Sequence, residues 1–241
     1  MRAARLVTTL VLTAHGSKDP RSAANTHAIA GHLRRVAPEF DVRVAFCEQS
    51  TPNLRDVLRE VTGDVVVAPF LLASAYHARI DIPAIVADAG VPVRVAAALG
   101  EDDRLIGVLG ERLTATGVSR FDSDLGVVVA AVGSSHAGAN ARTAGIAAPL
   151  SRGTRWAGVE VCFATGPAPS VDEAVERLRE RGATRFVIAP WFLAHGRITD
   201  RVANYARRQA IPMAEPLGAH RLVAAAVLDR VEEVLALDAA A

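Results

Sequence analysis

The stretch Leu10-Val11-Leu12-Thr13-Ala14-His15-Gly16-Ser17-Lys18-Asp19-Pro20-Arg21 decides the fold. It is mainly apolar through Ala14, turns polar over His15–Asp19, and resumes at Pro20 with the spacing of a helix. Proline is expected in a first helical turn, where its missing N–H would be unpaired anyway. The pattern is strand, turn, helix. Where a nucleotide-binding protein would carry a glycine-rich loop, this chain carries a histidine. Neither GxxxxGK[ST] nor GxGxxG occurs, so no nucleotide is expected.

The same unit returns later as GVVVAAVGSSHAGAN, with Val132 against His15 at an offset of 117 residues. Pro52 in CEQSTPNLRDVL and Pro169 in ATGPAPSVDEAV are also 117 apart. Pro69 in VVVAPFLL and Pro190 in FVIAPWFL differ by 121, and Leu99-Gly100 reappears as Leu217-Gly218. Matched landmarks in one order indicate an internal duplication, of too long a period for a solenoid. The boundary falls in the polar stretch 116–125, giving expected domains at 1–118 and 124–241.

In the first repeat, strands are predicted near 6–14, 42–46, 65–69 and 91–96, with helices near 20–36, 52–61, 80–89 and 103–115. Strands that are apolar throughout, separated by amphipathic helices, indicate a parallel sheet covered on both faces. The expected architecture is α/β: two tandem, doubly wound parallel-sheet domains with flavodoxin-like halves, facing each other across a cleft.

Composition narrows the class. Lys plus Arg total 27 against 26 Asp plus Glu, which gives no basic footprint for nucleic acid. No apolar run reaches the roughly 18 residues of a membrane span. The opening MRAARLVTTLVLTA imitates a signal peptide, but Thr8 and Thr9 interrupt it and no small-x-small site follows, so it reads as the first strand. Cys47 and Cys162 form no CxxC and suggest neither a disulfide scaffold nor a metal cluster. A cytoplasmic monomer is expected.

In an open parallel sheet, ligands bind beyond the carboxyl ends of the strands. His15 stands there. With a strand order of 2-1-3-4, the loop after the third strand would bring His77 to the same edge, and Glu48 would approach from the second strand. Two imidazoles and a carboxylate suit a divalent first-row metal, or proton removal near neutral pH. His27 and His32 fall on the first helix, as exposed or packing residues. His136 and His220 have no histidine counterpart in the first repeat, while His195 occupies the loop equivalent to that of His77.

The HGSKDPR turn, the CEQSTPNL segment, the YHARIDIP loop and the duplication together resemble the sirohydrochlorin chelatase family in its two-domain form. The resemblance covers nearly the whole chain and is strongest over 8–85. It implies a lyase, an ATP-independent metal chelatase that inserts Fe²⁺ or Co²⁺ into the tetrapyrrole sirohydrochlorin for siroheme or cobalamin synthesis. It also implies His15 and His77 as metal ligands or proton acceptors; Glu48 joins them as a metal ligand on its expected place beside His15, not on the resemblance. No cofactor beyond the substrate metal is implied. The histidine-rich or cysteine-bearing tails of some members are not found. The carboxylates of the substrate would be met by Lys18, Arg21, Arg79 and Arg197, with Arg142 and Arg201 as further cations and Ser17 as a polar contact or turn residue. Trp191, Phe192 and Leu193 approach the same end, core packing being the expected fate of two of them. Two other readings stay open: a tetrapyrrole or metal carrier that performs no insertion, and a hydrolase or lyase using His15 as base, which the absence of GxSxG disfavours.

Overall fold

The structure, a computed structural model, describes residues 7–73 and 81–239. The first strand, β1 (Thr8–Ala14), leads through the histidine turn into helix α1 (Pro20–Val36). There follow β2 (Phe40–Phe46), α2 (Leu54–Glu60), β3 (Val65–Pro69), α3 (Ile82–Ala87), β4 (Val93–Val95) and α4 (Asp103–Ala115). The second repeat gives β5 (Leu125–Ala131), α5 (Ala137–Ala144), α6 (Ala147–Ser151), β6 (Gly158–Phe163), α7 (Val171–Glu180), β7 (Arg185–Pro190), α8 (Arg197–Arg208) and α9 (Arg221–Ala239). Both sheets are parallel, ordered β2-β1-β3-β4 and β6-β5-β7. The order expected from the sequence is the one found in the first sheet. In the second, a bridge from Ile188 to Met213 stands where β4 stands in the first.

The chain forms two compact units, one from the described residues of 1–100 and 219–241, the other from 101–218. These cuts differ from the repeat boundary. Helix α4 ends the first repeat but packs on α6 and β7, burying Leu105, Val108, Leu109 and Leu113 in the second unit. Helix α9 ends the second repeat but packs on α1 and β3, burying Val223, Ala226, Val227 and Val231 in the first. Each repeat surrenders its last helix, and the turn-out points are the repeated Leu99-Gly100 and Leu217-Gly218.

In the first unit, alternation along the strands sends Val11, Ala45, Val65 and Val67 to one face, against Leu54, Val57, Leu58, Ile82 and Ile85 of α2 and α3. Leu10 and Leu12, wholly buried, serve the opposite face. In the second unit, Val128, Ala130, Cys162 and Ile188 pack on Ala174, Val175 and Leu178 of α7 and Val202 and Ala206 of α8. Sheets covered on both faces need apolar residues at every strand position, and β5 is buried throughout.

The start of α2 departs from expectation. Pro52 lies outside α2, because Phe46 N–H donates to Pro52 O (3.0 Å) and Asn53 caps the helix, its side chain accepting from Arg55 N–H. The first helix of the second repeat breaks into α5 and α6, with Gly145 N–H turned back to Ala141 and Arg142 carbonyls. No described helix is long and apolar enough to cross a membrane.

Candidate functional site

The ladder between β1 and β2 runs two residues past the strands. Cys47 N–H donates to Ala14 O (3.0 Å) and Glu48 N–H donates to His15 O (2.9 Å). That register sets Glu48 beside His15, and the side chains meet with His15 Nε2 at 3.0 Å from Glu48 Oε1. His15 is about one-third exposed, at 34%, and Glu48 half exposed, at 53%. The pair sits at a solvent-accessible edge.

Gly16 makes the approach possible. It holds φ +97°, and a Cβ there would lie 1.7 Å from Glu48 O. Next, Ser17 and Ser50 tie the two loops together: Ser17 N–H donates to Ser50 Oγ (3.0 Å) and Ser50 Oγ–H donates to Ser17 O (2.8 Å). Ser17 Oγ accepts from Asp19 N–H (3.1 Å), so its hydroxyl serves the turn. Asp19 caps α1 and accepts from Arg21 N–H and the Arg21 guanidinium, at 2.5 Å for the closest pair. Arg21 is thus engaged with Asp19, while Lys18 is exposed.

His77 and Arg79 lie outside the described residues. The chain is described again from Asp81, whose charge acts on Cys47. Burial first, then Asp81 and Glu48, push the Cys47 thiol up to about 11. That thiol is neutral near pH 7 and is no nucleophile there. Among the described residues no group of three His, Cys, Asp or Glu could hold a metal. The pair His15–Glu48 supplies two donors.

The second unit repeats the backbone and changes the chemistry. Gly133 holds φ +93°, and a Cβ there would lie 2.1 Å from Gly166 O. Thr165 N–H donates to Val132 O (3.0 Å), as Glu48 does to His15. Yet Val132 and Thr165 replace the imidazole and the carboxylate, and Thr165 Oγ1 donates to Val132 O (2.7 Å). Asn140 does the work of Ser50, accepting from Ser134 N–H (2.8 Å) and donating to Ser134 O (2.6 Å). Ser134, Asn140 and Thr165 line a hollow of about 440 Å³ with Gly133, Ser135 and Pro167. A larger hollow of about 730 Å³ lies between α7 and α8 and reaches Leu125 and Phe186 at the opposite strand ends, away from the edge where such sheets bind ligands.

Of the remaining candidates, His27 is exposed and meets Phe46 edge-on, 6.1 Å between centroids, and His32 pairs with Arg35. His136 precedes α5 and is exposed, and His220 Nδ1 accepts from Leu222 N–H at the start of α9. His195 Nε2 stands 2.7 Å from Glu215 Oε2, a second histidine–carboxylate pair at the carboxyl edge of its sheet. Glu215 escaped the sequence reading, although Glu215-Pro216-Leu217 against Ala97-Ala98-Leu99 was a visible change in the repeat. Arg197 opens α8 and is exposed, as are Arg142 and Arg201. Trp191 and Phe192 are buried, at 2% and 7%, and Leu193 is partly so, the division expected.

The CbiX family model matches residues 9–116 and 126–234, one copy per repeat. The chain is 28% identical over 214 residues to a sirohydrochlorin cobaltochelatase of Priestia megaterium, covering 83% of this chain and 68% of that one. It is 22% identical over 200 residues to a sirohydrochlorin ferrochelatase of the same organism, covering 78% and 74%. Among solved structures, SirB from Bacillus subtilis with Fe³⁺ superposes with a TM-score of 0.79 at 21% identity, covering 95% and 96%.

Proposed function

Because the chain belongs to the CbiX family, we propose that it inserts a divalent metal, Fe²⁺ or Co²⁺, into sirohydrochlorin. The observation that carries the reading is the His15–Glu48 pair at the carboxyl ends of β1 and β2, in a chain whose similar proteins are cobalt and iron chelatases.

The pair suits the chemistry. Two donors each about 2.1 Å from a metal and at a right angle lie about 3.0 Å apart, the separation seen between Nε2 and Oε1. Little movement would turn both atoms from each other to a cation, with the imidazole proton released as the metal binds. His77 is proposed as the third ligand. Insertion releases two pyrrole N–H protons, and an imidazole whose ordinary pKa is near 6.5 accepts a proton at working pH. The ring leaves as a dianion around a doubly charged metal, so the charge of the core balances. Nothing in this sequence of steps consumes a nucleotide.

Recognition of the anionic ring is assigned to Lys18, Arg79 and Arg197, with Arg21 available once it exchanges Asp19 for a substrate carboxylate. Planar guanidinium groups hold carboxylates by two parallel bonds, which fixes orientation as well as charge. Ser17 is left to the turn. The lack of the metal pair at Val132 and Thr165 supports a division of labour in which the first repeat handles the ion and the second, through Arg197, the ring. Two free cysteines outside any CxxC fit a reducing compartment such as the cytoplasm.

The test is an anaerobic assay with purified protein, sirohydrochlorin, and Fe²⁺ or Co²⁺ in turn, followed by the macrocycle's absorbance. Repeated turnover above the uncatalysed rate supports a chelatase. A single stoichiometric burst with the metallated ring retained would point to a carrier, and no change in the ring with either metal would overturn the proposal.

A further inference from the structure

We propose that Gln49 is a positioning residue for the His15–Glu48 pair, holding the Glu48 carboxylate toward the imidazole at the expense of its own backbone. The inference rests on the reading of that pair as the metal and proton site.

Gln49 is one of two described non-glycine residues with positive φ, at +59°. Ser50 N–H donates back to Glu48 O at 2.7 Å, closing a three-residue turn around it. Side chains are disfavoured in this left-handed region, glycine is not. The duplication supplies the comparison: at the same place in the second unit the chain carries Gly166, at φ +86°. The closing bond belongs to the first unit alone, since Pro167 follows Gly166 and has no N–H, but the positive φ is met at both places, once by the easy residue and once by a hard one.

What the glutamine adds is an amide. Gln49 Nε2 donates to Glu48 Oε1 at 3.2 Å, the same oxygen that lies 3.0 Å from His15 Nε2. Glu48 is half exposed, and a long carboxylate at an open edge samples several rotamers unless something holds it. The Gln49 amide and the His15 ring bracket one oxygen between them. In the second unit there is no carboxylate to hold, Thr165 standing where Glu48 stands, and glycine suffices. Strained residues gather at functional sites for this kind of reason.

The decisive variant is Gln49→Gly, which relieves the backbone and deletes the amide together. A residue kept for folding should lose stability on this change; Gln49 should not. The expected result is an unchanged or higher melting temperature with a metal insertion rate about threefold to tenfold lower. The KM for the metal should rise while that for sirohydrochlorin stays within about twofold, because Glu48 is assigned to the ion. Gln49→Asn, which keeps an amide and tolerates positive φ, should recover part of the loss. His15→Ala is run beside them. Wild-type rate and metal KM in Gln49→Gly, beside an inactive His15→Ala, would overturn this inference alone. So would a fall in melting temperature that accounts for the lost rate. A fully active His15→Ala would overturn both this inference and the site it depends on.

Discussion

At the scale of single residues, the site is made by register. Glu48 reaches His15 because two backbone hydrogen bonds extend the β1–β2 ladder past the strands, and Gly16 leaves room for the Glu48 carbonyl. His15 is about one-third exposed and its loss opens no core cavity, so His15→Ala should change folding stability by no more than about 0.5 kcal/mol. The same variant should lower metal insertion by about a hundredfold or more, since general acid–base groups contribute about 10²–10⁴-fold. Denaturant midpoints and insertion rates measured together check both halves of the statement. A buried group gives a second prediction. Burial, more than Glu160, raises the Cys162 thiol from its ordinary 9.0 to about 12. As pH rises, the unfolded chain gives up this proton first, so the folded state loses stability between about pH 9 and 12 and is unaffected below. Cys162→Ala should flatten that alkaline decline of stability relative to the parent, whatever it does to the midpoint at pH 7. Parallel curves for the two proteins would show that Cys162 does not drive it.

At the scale of elements, the turn from β1 into α1 shows how much the sequence disclosed. The strand and the Pro20 helix start were legible, because an apolar run ending in a polar turn has few other readings; the order β2-β1-β3-β4 was a supposition that the sheet bears out. The His15–Glu48 meeting followed from that order. The α2 start was not legible, because Pro52 reads like a first-turn proline, and only the bond from Phe46 to its carbonyl shows that the chain is still bridging β2. Glu215 went unnoticed beside His195, as it lies 20 residues on and is joined to it through a bridge of one residue pair. Two positive-φ glycines, Gly16 after β1 and Gly166 after β6, can be told apart by experiment. Gly16→Ala would force a Cβ against Glu48 O and should cost at least about 3 kcal/mol, with insertion lost as the loops part. Gly166→Ala has positive φ but no atom within 4 Å of the new Cβ, so it should cost only the backbone term of about 1–2 kcal/mol. Equal losses at the two positions, read by urea unfolding, would mean that the approach of the Glu48 carbonyl contributes nothing beyond backbone conformation.

At the scale of the whole molecule, duplication and folding unit part company. The repeats divide near 116–125, and the family model divides there too, but the compact units are cut at Gly100 and Gly218. Sequence could not reveal this, because an amphipathic helix carries the same apolar stripe whichever sheet it covers. Helix α4 buries Leu105, Val108, Leu109 and Leu113 in the unit that contains β7, and α9 closes the unit that contains β1. Removing either helix from its host exposes several large side chains, each worth about 1.5–3 kcal/mol when buried, against a total stability of about 5–15 kcal/mol. A fragment ending at Val118, the natural cut by repeat, should therefore fail to fold: it lacks the helix that covers its sheet and carries one with nothing to cover. A chain joining residues 1–100 through a flexible linker to 219–241 contains one complete unit with His15 and Glu48, and should unfold cooperatively in urea. Circular dichroism and amide dispersion in NMR spectra distinguish the two. A cooperatively folded 1–118 fragment beside an unfolded linked chain would mean that each repeat can close its own sheet with its own last helix, and that the exchange is not what stabilises the units.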